Sequence, residues 1–354
     1  MFAKKTLVAA AALLAVAGAA QAQSSVKLYG YVEGTVGSYE NFNLVTKQVE
    51  RTTEVGSGNM ITSFIGLSGS EDLGGGLKAE FALESFLAND TGATLGNMAG
   101  GFWGRASWVG LSGNFGRVIL GQYDNAMFTY GWLYNPFGSS TVFSPTMVSY
   151  YGLSGTVFGT GSLATLGYDT GWVNSVTYET PNFGGFTASL QFAPKETTAG
   201  GDAKDHYALS AAYNAGPLRV MGVYTSSGVA GPAYVARQKN YALGASYNFG
   251  VAKLMGQYSV VKDETGGADD KAKFFQVGVS VPVTAAGNLM VSYGQTKYED
   301  GVVEPKLKQF SVGYDYSLSK RTGVYAALTT KKLSDAGMID DTATTYAVGL
   351  RHAF

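Results

Sequence analysis

The sequence predicts an all-β protein: a 16-stranded antiparallel transmembrane β-barrel with its third long loop folded inward. Three observations predict it. Segments of period-two alternation recur along the chain, the connections between them alternate between short and long, and tyrosines gather at segment ends on the apolar parity. Successive side chains of a strand point to opposite faces, so each segment has one apolar and one wetter face. Transmembrane barrels combine such strands with short turns at one end, long loops at the other, and aromatic girdles at both bilayer interfaces.

The alternating segments are explicit. Val26, Leu28, Val32 and Val36 alternate with Lys27, Tyr29, Tyr31 and Glu33; Ala79, Phe81 and Leu83 alternate with Lys78, Glu80 and Glu84. The pattern returns at 186–192, 206–213, 240–247 and 275–281. Short connections fall at 70–76, 113–116, 180–185, 214–217, 248–250, 282–287 and 317–322. Long ones fall near 37–58, 87–100, 124–170, 194–204, 226–238, 260–271, 297–306 and 331–343. Fifteen connections join sixteen strands and leave both ends on the short-turn side. The apolar parity predicts that Leu190, Leu209 and Val277 face hydrocarbon or a neighbouring subunit, with Gln191, Ser210 and Gln276 facing the lumen. The wet parity predicts lumen charges at Lys27, Lys78, Glu80, Arg219 and Lys253. The segment ending at Phe354 has the same character as the one at Val26, so the two are expected to pair and close the sheet.

Composition fits. Glycine is abundant (49), proline scarce (8) and cysteine absent, so neither disulfides nor thiolate metal sites are available. Lys4 and Lys5, an apolar run from Leu7 to Ala20, and Ala20-Gln21-Ala22 read as a secretory signal peptide over 1–22, leaving 23–354 as the barrel. Without those two lysines, 23 basic side chains stand against 26 acidic ones. That balance does not call for nucleic acid. Beyond the leader no apolar run is long enough for a helical span.

The connection 124–170 is far longer than an ordinary loop, which points to function. It is rich in aromatics, among them Phe128, Tyr130, Trp132, Tyr134, Phe137, Phe143 and Tyr150, and disordered segments are poor in them. It is expected to fold back onto the barrel wall, with some rings as anchors and others at the opening.

Ordered motifs give a family resemblance: Leu28-Tyr29-Gly30, Gly69-Ser70-Glu71-Asp72-Leu73-Gly74, Arg105-Ala106-Ser107-Trp108-Val109-Gly110-Leu111, Asn135-Pro136-Phe137-Gly138, Asn174-Ser175-Val176-Thr177-Tyr178, Tyr316-Ser317-Leu318-Ser319-Lys320-Arg321-Thr322, and Gly349-Leu350-Arg351-His352-Ala353-Phe354. Together they resemble the trimeric general porins of Gram-negative outer membranes. The resemblance implies a homotrimer in outer-membrane lipid, a water-filled channel for passive diffusion of small hydrophilic solutes and ions, and Phe354 as part of the signal read by the barrel-insertion machinery. It implies a constriction by the third loop, at Arg105, Phe64, Gln122 and Asp124 with Tyr130, Trp132, Tyr134 and Phe137. The family's wall arginines are met only at Arg105, because Phe64, Gln122 and Gly171 stand where others are expected. Between Asp124 and Asp169 no residue is charged, so the loop acids are missing too. The expectation is therefore mild ion selectivity, carried mainly by Arg105, and a preference of the loop for neutral or ring-bearing solutes. A substrate-specific channel for sugars or small aromatics is the variant reading. The parity of Arg105 predicts Ala106 and Trp108 on the lipid or subunit face.

Catalysis finds no constellation. Histidine occurs only at His206 and His352, and no phosphate loop or dinucleotide fingerprint is present. The reading is no enzyme, no cofactor and no metal; the alternative class is an outer-membrane enzyme or receptor for which the barrel is only a scaffold. Asp263-Glu264 and Asp269-Asp270 are taken as solvated loop acids, with a divalent cation as the alternative.

Overall fold

The structure is a computed structural model describing residues 25–43, 46–95, 101–152, 171–195, 205–231, 234–264, 270–299, 304–334 and 340–354. The leader over 1–22 and the second part of the long loop lie outside the described residues.

Alternation is realised as sixteen barrel strands. They are β1 Ser25–Asn43, β2 in two pieces (Gln48–Ser57 and Phe64–Gly74), β3 Leu77–Ala88, β4 in two pieces (Ala93–Leu95 and Ala106–Gly113), β5 Gly116–Asp124, β6 Gly171–Glu179, β7 Phe186–Ala193 and β8 His206–Ala215. Then come β9 Leu218–Gly231, β10 Tyr234–Asn248, β11 Lys253–Asp263, β12 Asp270–Pro282, β13 Gly287–Glu299, β14 Lys306–Ser317, β15 Thr322–Ser334 and β16 Asp340–Ala353. Each pairs antiparallel with its neighbours, and β1 pairs with β16 from Tyr31↔Ala353 to Ser38↔Tyr346. Closure removes both sheet edges, as a membrane demands of any backbone that cannot reach water.

The seam is finished by Phe354. Its backbone exchanges two hydrogen bonds with Gly30, N–H to O at 3.2 and 3.3 Å, and a Cβ on Gly30 would lie 2.6 Å from the Phe354 ring. Gly30 is thus the space the terminal ring occupies. Glu33 sits near the same seam, fully buried, and accepts from Met60 N (2.8 Å), Ile61 N (2.6 Å) and the Tyr325 hydroxyl (2.6 Å). Those bonds hold the 58–63 break in β2, which opens at Gly58 with φ +76°.

The parity reading holds. Leu190, Leu209 and Val277 are 56%, 47% and 55% exposed on the outer wall, while Gln191, Ser210 and Gln276 are buried inside. An arginine on the lipid face costs about 2–4 kcal/mol at mid-depth. Leu190→Arg is expected to lose that much in a refolding titration and Gln191→Arg far less; equal losses would refute the assignment.

Two connections expected to be loops are strand. β1 and β2 stay paired from Gly34↔Ser57 to Asn43↔Gln48, and β9 and β10 to Gly231↔Tyr234. Outside the bilayer both faces of a hairpin are wet, so hydrophobic alternation fades while backbone pairing continues.

Candidate functional site: the pore neck

The chain turns inward after β5. Asn125 caps helix α1 (Ala126–Leu133) by accepting from Met127 N at 2.8 Å. Asn135 then organises the Asn135-Pro136-Phe137-Gly138 turn: its amide donates to Gly131 O (2.7 Å) and Gly138 O (2.9 Å), and its oxygen accepts from Phe137 N (2.8 Å). A helical turn, Pro145–Met147, follows, capped by Ser144.

This segment lies against the wall formed by β8 to β15. Glycines on four of those strands make room for it. A Cβ would lie 2.5 Å from the Tyr134 ring at Gly244, 2.5 Å from Pro136 at Gly278, 2.5 Å from Pro145 at Gly294 and 3.0 Å from the Phe137 ring at Gly313. Polar wall residues satisfy the loop backbone and hydroxyls. Gln257 donates to Gly131 O (3.1 Å), Gln309 donates to Val142 O (3.0 Å), and Gln276 accepts from Thr146 N (3.1 Å) and Oγ1 (2.6 Å). Ser140 donates to Asn59 O in the β2 break at 2.6 Å, and the Tyr150 hydroxyl lies 2.7 Å from Ser259 Oγ. Each buried polar group left unpaired would cost about 1–3 kcal/mol, so these bonds fix the loop's path.

The expectation that Tyr130, Tyr134 and Phe137 line the opening is corrected. All three are buried: Tyr130 donates to Tyr258 O (3.0 Å) and Phe137 packs on Phe143. Burial also pushes the Tyr134 phenol up to about 12, so it stays neutral. They are anchors because the wall offers them glycine-lined space. Trp132 is the exception, 39% exposed.

With residues 125–152 on the β8–β15 side, the described residues leave cavities beside β1–β9. A cavity of about 360 Å³ is lined by Lys27, Tyr29, Glu80, Glu84, Arg105 and Trp108, among others. A second, of about 480 Å³, lies between α1 and the β5–β9 wall, where Ala126, Thr129 and Leu133 face Glu179 and Arg219. Asp124 borders both.

Arg105 does reach the lumen, but not by strand parity. It precedes the 106–113 piece of β4, with its backbone N donating to Glu84 O at 3.1 Å. Its guanidinium pairs with the Glu84 carboxylate and lies 4.1 Å from the Phe64 ring centroid. Phe64 is therefore buried support for Arg105. Ala106 and Trp108 line the lumen rather than the lipid face; Val109 and Leu111 take that face. The reading failed because Arg105 lies before the strand, where alternation does not apply. Gln122 is also corrected: it is buried and donates to Gly104 O at 2.6 Å, so it braces the β4 entry.

Sequence reasoning placed Glu80 in the lumen but missed its partner Arg117, together with Glu179. Arg117 lies 3.3 Å from Glu80 and 3.4 Å from Glu179, and stacks 4.5 Å from the Trp108 centroid. The run Arg117-Val118-Ile119-Leu120 does not alternate, which hid its parity; position directly after Gly116, at a short turn, was the available signal. Arg351 pairs with Asp315 at 2.5 Å. By contrast, Lys27, Lys78, Arg219 and Lys253 have no ion pair to another described residue, although Asp72 lies opposite Lys78 in register. Arg219 and Lys253 share a further cavity beside the 215–218 and 248–253 turns.

The remaining candidates separate. His206 contacts Trp172 (centroids 5.2 Å apart), whereas His352 meets Thr322 at 2.9 Å, on other strands. Glu264 pairs with Lys239 at 2.5 Å, Asp269 lies outside the described residues, and no metal-holding cluster exists among the described residues.

Comparison with known proteins agrees with this geometry. A family model for Gram-negative porins matches residues 9–336. Outer membrane porin protein 32 of Delftia acidovorans is 36% identical over 372 residues, covering 99% of this chain and all of the relative. An outer membrane porin protein of Bordetella pertussis is 31% identical over 407 residues, with 99% of this chain and 100% of the relative covered. Among solved structures, an anion-selective porin from Comamonas acidovorans superposes with a TM-score of 0.79 at 32% identity, covering 94% of this chain and all of that one. These relatives are channel proteins rather than enzymes. A closed sixteen-stranded barrel with an inward third loop, matched over nearly its whole length by outer-membrane channels, places this chain in the Gram-negative porin family of the outer membrane.

Proposed function

We propose that the protein is a passive diffusion channel for small hydrophilic solutes that prefers anions, and that three copies assemble into one unit. The observation that carries the preference is the lumen charge pattern: Arg105 and Arg117 are compensated by carboxylates, while Lys27, Lys78, Arg219 and Lys253 are not ion-paired among the described residues. The expectation of weak charge selectivity finds no support in the relatives, one of which is an anion-selective porin. Among the described loop rings, Tyr130, Tyr134 and Phe137 are buried anchors, which leaves the exposed Trp132 as the ring on which a ring-bearing solute would stack.

The test is reconstitution into a planar bilayer. Ohmic steps with reversal potentials on the anion side, closing in three equal sublevels, are the expected record. A silent bilayer from folded protein would overturn the channel reading, and single-level closure would overturn the trimer.

Phe354 belongs to the same proposal as the residue through which insertion machinery reads the chain. Phe354→Ala keeps the backbone bonds to Gly30 but loses the ring above it. It is expected to lower the amount of heat-modifiable protein in the outer membrane, with a smaller effect on refolding into detergent. Equal effects in both would make the ring a matter of seam packing alone.

A further inference from the structure

The short-turn mouth of the pore gathers donors that passive diffusion does not need. Arg219 on β9, Ser246 and Asn248 on β10, and Lys253 on β11 line one cavity of about 430 Å³ beside the turns at 215–218 and 248–253. Register brings them together. Arg219 stands opposite Ser246 and Lys253 opposite Asn248, so the four occupy neighbouring positions on three adjacent strands. They share the inward parity of the buried Met221 and Met255, while Leu243, Tyr247 and Leu254 take the exposed one.

Charge in this cavity has one sign. No carboxylate lines it, and neither Arg219 nor Lys253 has an ion-pair partner among the described residues. Asp124 and Glu179 border the adjoining cavity that Arg219 also reaches, and Glu179 is held there by Arg117 and by the Tyr123 hydroxyl at 2.8 Å. Two cations on one face of a sheet repel each other, and an anion between them turns that repulsion into attraction.

A second observation is independent of charge. Ser246 is 3% exposed, and its hydroxyl has no hydrogen-bond partner. A buried hydroxyl left unpaired carries the full cost of its lost water. Ser246 lies on the middle strand, between the two cations. Asn248, two residues on, accepts from Gly250 N at 2.9 Å through its side-chain oxygen, which leaves its amide NH2 as the remaining donor.

We infer that this cavity is a binding site for a tetrahedral oxyanion, the phosphoryl group of inorganic phosphate or of a small phosphate monoester. Arg219 offers parallel N–H groups, Lys253 an ammonium on a flexible stem, Ser246 an O–H and Asn248 an N–H. Donors spread over three strands can reach separate oxygens of a tetrahedral anion. Chloride presents a single centre, and a carboxylate only two oxygens in one plane. The site holds its solute at the short-turn mouth, beyond the neck. It rests on the channel reading only for how the solute arrives, since binding itself needs no current.

The test uses folded protein in detergent, verified by heat-modifiable mobility. Phosphorus NMR follows line broadening of inorganic phosphate and, separately, of glycerol 3-phosphate, at constant ionic strength, with chloride or acetate as competitor. Wild type is expected to broaden the phosphate line saturably, and either competitor to need at least a tenfold excess to displace it. Lys253→Gln is expected to raise the half-saturating concentration at least tenfold and Ser246→Ala severalfold, while Ser246→Thr, which keeps the hydroxyl, stays near wild type. Glycerol 3-phosphate that matches inorganic phosphate assigns the site to organic phosphates; binding at least tenfold weaker assigns it to the free ion. Absence of saturable broadening in wild type, displacement by an equal concentration of acetate, or wild-type affinity in Lys253→Gln or in Ser246→Ala overturns the inference. Ser246→Ala removes only an unpartnered hydroxyl, so it serves if Lys253→Gln fails to fold. A silent bilayer would sink the channel reading and leave this binding result standing.

Discussion

Gly244→Leu is expected to narrow the pore. The wall at Gly244 has no room for a side chain, because its Cβ position lies 2.5 Å from the Tyr134 ring. The ring belongs to a segment held by bonds from Gln257 at Gly131 and to Gln276 from Thr146, so it cannot retreat without breaking them. Overpacking of this kind costs roughly 1–3 kcal/mol. The direction of relief is away from the wall, toward the lumen. Single-channel conductance should fall and become noisier, while the outer barrel keeps its heat-modifiable mobility. The same substitution with Tyr134→Ala should recover conductance, because the clash partner is gone; that non-additivity is the mark of direct contact. Unchanged conductance in Gly244→Leu, or no recovery in the double variant, would show that the loop is not seated on this glycine.

The barrel was legible in the sequence because its physics is local. Alternation, turn spacing and interface aromatics are all imposed by neighbouring residues facing lipid or water, so strand number and the outward set Leu190, Leu209 and Val277 could be read directly. The neck was less legible because its contacts join residues far apart in the chain. Nothing near Gly244, Gly278, Gly294 or Gly313 distinguishes a glycine that receives a loop from one that merely sits in a strand. Their role exists only once register sets the strands side by side and the 125–152 segment crosses them. Tyr130, Tyr134 and Phe137 were placed in the right region with the wrong partner for the same reason. Arg105 shows the opposite case. Its lumen location was expected through the family resemblance, yet its compensating partner Glu84 was visible only as one more residue on the wet parity of β3.

That partnership bears on where the proposed anion preference would come from. Removing Lys27, Lys78, Arg219 and Lys253 together, each as glutamine, is expected to abolish the anion preference measured as a reversal potential in a salt gradient. An unpaired charge 4 Å from a passing ion is worth about 1 kcal/mol even at the dielectric of water, a several-fold change in permeability ratio, and four such charges compound. At ~0.1 M salt they act over roughly 10 Å and at 1 M over about 3 Å, so the preference should shrink as salt rises. Arg105 needs a different experiment. Arg105→Ala alone leaves Glu84 unpaired and adds negative charge to the neck, so it would lower anion preference whichever residue normally sets it. Removing both members, as Arg105→Gln with Glu84→Gln, takes away no net charge and should leave the reversal potential close to wild type. A double variant that loses the preference while the fourfold variant keeps it would return the selectivity to Arg105 and overturn the proposed role of the unpaired lumen cations.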